Sequence, residues 1–250
     1  MPSGAYPKTE AYPRDTKQDI RVSVMTVKNF PLSEPVLQAL QTSLSPERFS
    51  TYLRAAGGHQ EKALRLYTRN TALSAAFYGP LQGLEIAVRN ALHRELTARF
   101  GPAWYDNRLT GLNPKAQDQI LRAKRDVQRE HRQSDPPHVV ASLSFGFWVA
   151  LLGKGGNSNY EMILWRPALA KAFPHARLGR KQAHQQLDYL RTFRNRIAHH
   201  EPIFTRHLAA DHEAILRVTG WICPLTRDWI ASHSRVPTLL AQPASADLLF

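Results

Sequence analysis

The sequence predicts an all-α fold, and three observations lead to this prediction. Apolar residues recur at intervals of three and four along most of the chain after residue 33, which is the period of one helix face. Helix start and stop signals divide the same stretch, such as Ser45-Pro46 before one run and Gly101-Pro102 after another. We find no stretch of any length that alternates polar and apolar residues in the manner of a half-buried strand. We therefore expect a multi-helix bundle.

The first half of the chain contains the clearest helix boundaries. Ser45-Pro46-Glu47 supplies a capping side chain, a first-turn proline and an acid near the positive end of the helix dipole, and Gly57-Gly58 ends that helix. A longer pattern runs from 60 to 100. Because Gly79-Pro80 interrupts it, the pattern predicts either two helices or one kinked helix. Asn113-Pro114 begins another helix, which we expect to reach residue 132.

The second half is predicted to form four more helices. The first of them, over residues 138–152, is apolar on most sides and is expected to be central to the fold. The last helix can be kinked at Gly220 and Pro224. Its apolar stripe comprises Ile215, Val218, Ile222, Leu225 and Trp229, which we expect to be buried. The four helices are expected over residues 138–152, 158–172, 181–200 and 207–233.

The domain organisation follows from where this patterning starts and stops. Residues 1–30 are rich in proline and charge and lack periodicity, which predicts a disordered tail; Met25 is a candidate alternative start. Residues 31–236 are expected to form a single all-α domain, because no linker interrupts the helical pattern. Residues 237–250 are weakly patterned and are predicted to be a C-terminal tail.

Composition and charge limit the classes of function. The 250 residues carry a formal net charge of +13 with 43% hydrophobic residues, which indicates a globular protein with a polyanionic partner. The single cysteine, Cys223, excludes an internal disulfide framework. The sequence has no apolar run of the roughly 18 residues that span a bilayer, and the N-terminus lacks the apolar core of a signal peptide. We therefore expect a cytoplasmic protein without a membrane partner.

The most informative segment runs from Arg191 to Pro202. Residues 166–196 contain eight basic residues and one acid, so they supply more than half of the net charge immediately before His199-His200. Imidazole accepts or donates a proton near pH 7, and neighbouring guanidinium groups stabilise the negative charge that develops around phosphorus. This combination favours phosphodiester cleavage. Arginine and histidine in a last helical turn are also favoured simply because they complement the helix dipole, so composition alone leaves both interpretations open.

Helical spacing limits which of these side chains act together. Asn195 and His199 are four residues apart and share a helix face. Arg194 precedes His199 by five residues, which places it about 140° away on an ideal helix. Pro202 disfavours helical geometry at Glu201, so we expect the helix to end just after His200.

Several segments resemble those of a known family. Arg194-Asn195, followed by three residues and His199, resembles the signature of HEPN-domain ribonucleases, and the run from Arg194 to Ile203 resembles the equivalent segment of the bacterial Abi-like (abortive infection) proteins. The resemblance covers residues 32–233. Three further stretches match landmarks of that family in the same order: Leu84–Leu92, Gly101–Tyr105 and Ser144–Trp148, the last followed by Trp165 and Phe173-Pro174.

The resemblance implies a HEPN-like bundle and a metal-independent endoribonuclease used in phage defence or as a toxin. It assigns general acid or base catalysis to His199, phosphate contact to Arg194 and positioning to Asn195. The expected product is a 2′,3′-cyclic phosphate, and the expected assembly is a homodimer in which two motifs face one cleft. We expect supporting or RNA-binding roles for Arg191, Arg196, His200, Lys181 and Arg180.

A second Arg-Asn segment precedes the main one. Glu85, Arg89 and His93 follow one another at four-residue steps, which favours an ordinary polar stripe; recurrence of residues like Glu85 and Arg89 in the resembling family keeps a supporting role beside the cleft open.

The densest histidine cluster is His199-His200 with His207 and His212. It lacks a His-Glu-x-x-His pair and paired thiolates, so we expect neither a metal nor another cofactor. The alternative function is a non-catalytic RNA-binding module that holds a structured small RNA. An antitoxin is a further candidate partner.

Overall fold

The computed structural model describes residues 32–130, 135–243, 246, 248 and 250, and within these ranges the fold is all-α with no β-strand. This confirms the predicted fold class. The predicted tail over residues 1–30 lies outside the described residues. The α-helices are α1 (Glu34–Leu44), α2 (Pro46–Ala55), α3 (Gln60–Phe100), α4 (Pro114–Arg129), α5 (Pro136–Ser142), α6 (Phe145–Leu151), α7 (Arg180–Ala198), α8 (Leu208–Ile222), α9 (Pro224–His233) and α10 (Val236–Ala241).

Helix α3 is the central element of the bundle. It runs for 41 residues, about 60 Å at 1.5 Å per residue, and it continues through Pro80 as one helix. Its apolar positions Leu84, Val88, Leu92 and Leu96 are completely buried. Helices α2, α6, α8, α9 and α10 all pack against it, so it connects α2 with the C-terminal helices of the bundle.

Helix α7 carries the predicted motif and packs against α6 and α8. Gln182 caps its start, because its Oε1 accepts a hydrogen bond of 3.1 Å from the Gly179 amide. The buried stripe includes Leu187, Leu190 and Phe193, and Phe193 meets Phe77 of α3 edge to face with ring centroids 4.9 Å apart. The opposite, polar face of α7 is therefore directed to solvent.

Three predicted helices are wrong in extent, because extended or capping residues divide two of them and a proline divides the third. The segment 138–152 forms α5 and α6, since Leu143 is extended and the Ser144 hydroxyl caps α6 by accepting from the Phe147 amide at 3.2 Å. The segment 158–172 forms a π-helical turn, Glu161–Trp165, and a 3-10 turn, Leu169–Ala172, because Pro167 interrupts a continuous ladder. The segment 207–233 breaks at extended Cys223, after which Pro224 begins α9.

The apolar stripe predicted for that last helix is only half correct. Ile215 and Val218 are buried in α8, but Leu225 is 79% exposed and Trp229 is 58% exposed. The break at Cys223 re-aims α9, so the three- and four-residue spacing does not continue onto one face. Helix α10 also crosses residue 237, where the C-terminal tail was predicted to begin, and Val236 and Leu239 are buried.

A bilayer-spanning helix must be both long and apolar, and among the described residues no helix is long and apolar enough to cross a membrane.

Candidate functional site

The motif segment forms a sharply terminated end of α7. The helix ends at Ala198, His199 occupies the C-cap, and His200 adopts the left-handed conformation with φ 56°. The amide of His200 donates to the Ile197 carbonyl at 3.0 Å and that of Glu201 donates to the Arg196 carbonyl at 2.8 Å. These two bonds form a Schellman motif, which satisfies the last carbonyls of the helix. As a result, both histidine side chains are exposed at the end of the helix.

The residues that follow, 199–207, are called the motif loop here, and polar side chains fix it from three directions. Arg48 of α2 donates from Nη1 to the His200 carbonyl at 2.6 Å. Asn70 of α3 is buried, and its Oδ1 accepts from the amides of Ile203 at 2.7 Å and Phe204 at 3.2 Å. These contacts attach the loop to α2 and α3, so the histidines rest on a rigid support.

A third attachment joins the motif loop to α8. Arg206 forms two hydrogen bonds with the carboxylate of Asp211, at 2.8 and 2.7 Å. Tyr189 of α7 donates from its hydroxyl to the same carboxylate, and Asp211 is completely buried. The ion pair raises the pKa of Arg206, and burial followed by the nearby carboxylate raises the pKa of Tyr189. Arg206 therefore remains charged and Tyr189 remains a hydrogen-bond donor at neutral pH.

Arg194 faces α3 instead of the open solvent. Its Nε lies 3.4 Å from Glu85 Oε2, and both side chains are partly exposed. A groove of about 430 Å³ separates α3 from α7 at this point, and we call it the Arg194 groove. It is lined by Tyr78, Leu81, Gln82, Glu85, Ile86, Arg89, Arg194, Ile197 and Ala198.

The structure does not bring all three predicted catalytic side chains into that groove. Neither Asn195 nor His199 lines it. Because α7 remains helical up to Ala198, Arg194 and His199 keep an angular separation of about 140° around the helix axis. Within one chain, Arg194 therefore pairs with Glu85 in a groove that Arg89 also lines, whereas His199 lies on a different face of the same helix end.

The predicted supporting residues fall into two groups. Arg191 pairs with Asp188 of the same helix at 2.8 Å, and Arg180 joins α7 to the preceding segment by donating to Glu161 at 2.9 Å and to the Leu152 carbonyl at 2.8 Å. Arg196 similarly donates to the Pro202 carbonyl at 3.1 Å and lies 3.3 Å from Glu201. By contrast, Lys181 and His200 are exposed on the surface of the protein.

The three residues of the polar stripe on α3, Glu85, Arg89 and His93, lie in two different environments. Glu85 and Arg89 line the Arg194 groove, as the resemblance left open. His93 instead turns towards Trp104, whose Nε1 donates to His93 Nδ1 at 3.0 Å, and burial lowers the pKa of His93. The Trp104 contact gives His93 a structural role, whereas for Glu85 and Arg89 both the structural and the supporting interpretation stay predictions.

Sequence reasoning missed two sets of residues around the site. Asn70 and Arg48 belong to no recognisable motif, and their role comes only from tertiary contacts. An exposed apolar surface beside the Arg194 groove was also missed: Tyr78 is 63% exposed, Ile86 39% and Trp229 58%. A second groove of about 530 Å³ between α3 and α9 shares Gln82 and Ile86 with the first.

The part of the chain that the structure describes contains no group of three or more His, Cys, Asp or Glu side chains arranged to hold a metal ion.

The fold and the site together define an all-α protein with a cationic groove beside an exposed, helix-terminal histidine. Such an arrangement can contact phosphate oxygens through Arg194 and transfer a proton through His199. The family model of the Abi-like proteins matches residues 37–205, about two thirds of the chain, so the protein belongs to the Abi-like family. This membership supports a function of the abortive-infection type. No curated protein and no solved structure matched the chain.

Proposed function

We propose that this protein is a metal-independent endoribonuclease of an abortive-infection or toxin system. The observation that carries the proposal is the arrangement at the end of α7. The helix ends at Ala198 with His199 as its C-cap, the backbone of the adjacent His200 is fixed by Arg48, and Arg194, five residues before His199, faces an open groove. The family membership and the net charge of +13 support an RNA substrate.

In this proposal the ribose 2′-oxygen attacks the adjacent phosphorus as His199 moves the proton at the 2′-hydroxyl or at the leaving oxygen. The bond between phosphorus and the 5′-oxygen breaks, which leaves a 2′,3′-cyclic phosphate and a 5′-hydroxyl. Arg194 contacts the non-bridging oxygens, whose negative charge grows in the transition state. Glu85 fixes the guanidinium of Arg194, while Asn195, on the His199 face, orients the imidazole or the substrate.

The same proposal includes a homodimer, because one chain holds Arg194 and His199 on different faces. A second copy that packs against the Arg194 groove supplies its own motif to the cleft. The exposed side chains of Tyr78, Ile86 and Trp229 beside the groove offer apolar surface for such contact. RNA is the proposed partner in the cleft, and the proposed location is the cytoplasm.

The experiment incubates purified protein with total bacterial RNA in EDTA and maps the ends of the fragments. Wild type is compared with His199→Ala and with His59→Ala, a matched control in which an exposed histidine without a side-chain capping bond is removed. We expect cyclic-phosphate ends from wild type and the control, and no cleavage by His199→Ala. Equal cleavage by wild type and His199→Ala contradicts the assignment of His199.

A second candidate is a non-catalytic module that holds a structured small RNA. The separation of Arg194 from His199 within one chain favours it, since a binding surface does not require the two side chains to converge. This candidate predicts salt-sensitive RNA binding by wild type and His199→Ala alike, without cleavage by either. An antitoxin, as RNA or protein, is the further partner that either candidate accommodates.

A further inference from the structure

A third groove lies at the other end of α7, against the last turns of α8. Its volume is about 420 Å³, and we call it the glutamine groove. Three side-chain amides, two guanidinium groups and one indole line it. No carboxylate is among its lining side chains. The lining residues are Ala176, Arg177, Leu178, Gln182, Gln185, Gln186, Arg217 and Trp221.

The glutamine groove is electropositive. Arg177 is exposed, and Arg217 donates from Nη2 to Gln186 Oε1 at 3.0 Å, a neutral partner. Within the described ranges of the chain, neither arginine forms an ion pair with a carboxylate. Lys181 is exposed at the beginning of α7 and adds a third positive charge near the groove. Part of the strongly basic stretch 166–196 is thus collected around one concave surface.

The neutral side chains of the groove suit the edge and the face of a nucleobase. Gln185 is exposed, and its amide offers both donors and an acceptor, as the edge of an unpaired base does. Trp221 is held in place, because its ring meets Phe173 edge to face at 6.4 Å and its carbonyl accepts from the His175 amide at 3.1 Å. A fixed indole beside an arginine offers a surface on which a base can stack.

We propose that the glutamine groove binds an unpaired base of the RNA strand, with the neighbouring phosphates on Arg177 and Arg217. The proposal rests on the proposed function, since the strand is the one that reaches His199. Gln185 and His199 are fourteen residues apart on α7, which corresponds to about 21 Å along the axis and about 40° around it. A single strand along the outer face of α7 therefore connects the two sites.

The experiment measures binding of a 12-nucleotide unstructured single-stranded RNA to full-length protein that carries His199→Ala, so that cleavage does not interfere. Arg177→Ala with Gln185→Ala is the test variant. Arg122→Ala with Gln128→Ala on α4 is the matched control, because it also removes one exposed arginine and one exposed glutamine. We expect the test variant to bind about tenfold more weakly and the control to stay within about twofold.

Salt dependence adds a second measurement. Loss of one phosphate contact lowers the slope of log affinity against log salt by about 0.7 for a single strand, so the test variant is expected to show that change and the control is not. Equal affinity of the two variants for the 12-nucleotide RNA overturns the proposal.

A free nucleotide also carries a base and a phosphate, so it is the other ligand that the glutamine groove could bind. A titration with AMP and UMP distinguishes a free nucleotide from an RNA strand. Mononucleotide binding that the test variant loses, with RNA binding unchanged, identifies a nucleotide site and overturns the assignment to the RNA strand. Because every measurement here is of binding, a differential loss of RNA binding supports the groove even if the wild-type protein cleaves no RNA. Absence of cleavage contradicts only the proposed function.

Discussion

The chain contains two Arg-Asn segments that end in histidine, and the structure gives them different environments. In the first, Arg89 to His93, the histidine lies within α3 and its ring accepts from the buried Trp104 indole. In the second, Arg194 to His199, the histidine lies at the C-cap of α7 and is exposed. The arginines of both segments nevertheless line the same Arg194 groove.

The difference teaches that position relative to a helix end decides whether the histidine of such a segment is exposed. Within α3, the contact with the buried Trp104 indole keeps the His93 ring partly buried. A separation of five residues, followed by the end of the helix, releases the histidine from that packing. The chemistry of the residue types is the same in both segments, and only the backbone around them differs.

The largest expected effect separates the two histidines by activity. His199→Ala is expected to lower the rate of RNA cleavage about 1000-fold, since general acid-base catalysis contributes about 10²–10⁴. His93→Ala is expected to leave the rate per folded molecule within about threefold. The measurement is initial cleavage of a fluorescent RNA in EDTA, with circular dichroism on both variants. A large loss of rate in folded His93→Ala contradicts the comparison.

The second effect separates the two arginines of the groove. Arg194→Ala is expected to lower kcat about 100-fold, because a donor to the transition-state oxyanion is lost. Arg89→Ala is expected to raise KM with little change in kcat, as for a contact made equally in the ground state. Steady-state kinetics on a defined RNA measure both quantities. An unchanged kcat in Arg194→Ala removes Arg194 from the reaction.

The third effect concerns stability, and here His93→Ala is expected to have a larger effect than His199→Ala. His93→Ala leaves the Trp104 indole without its buried acceptor and is expected to reduce the free energy of unfolding by about 1–3 kcal/mol. His199→Ala is expected to change it by less than about 0.5 kcal/mol, because the side chain is exposed. Urea denaturation monitored by tryptophan fluorescence measures both. Equal stabilities of the two variants show that His93 has no structural role.

The smallest effect is a dependence of stability on pH. Burial lowers the pKa of His93 and of His212 in the folded protein below the unfolded value of 6.5. As the pH falls through 6.5, the unfolded chain binds protons that the folded protein does not yet accept, so stability decreases. We expect a lower Tm at pH 5.5 than at pH 7.5. His93→Gln is expected to reduce this difference without abolishing it, since His212 still titrates.

The sequence was sufficient for the parts of the fold that local patterning controls. The periodic run on α3 and the caps at Ser45 and Asn113 depend on neighbouring residues only, and each capping side chain accepts from an amide three residues on. For the same reason the end of α7 was predicted to within two residues, just after His200 instead of at Ala198. Pro202 and the residues before it contain the information for a helix stop.

Tertiary contacts decided what the sequence did not reveal. Trp229 has the spacing of a core residue, yet the extended backbone at Cys223 turns α9 and leaves the ring exposed. Asn70 lies in an ordinary helical context, and only the return of the motif loop, more than 130 residues later, shows what its amide binds. No local pattern encodes such pairings, because they arise when distant elements pack.

The left-handed backbone at His200 limits which residues evolution or a mutational library can place there. A positive φ is accessible to glycine, and to asparagine at modest cost, but is costly for β-branched residues. In a saturation library at position 200 we therefore expect glycine and asparagine to be retained, and valine and isoleucine to be depleted, because of this backbone conformation. Because the proposed role of His199 is chemical and the constraint at His200 is one of backbone geometry, the two adjacent positions are expected to tolerate different substitutions.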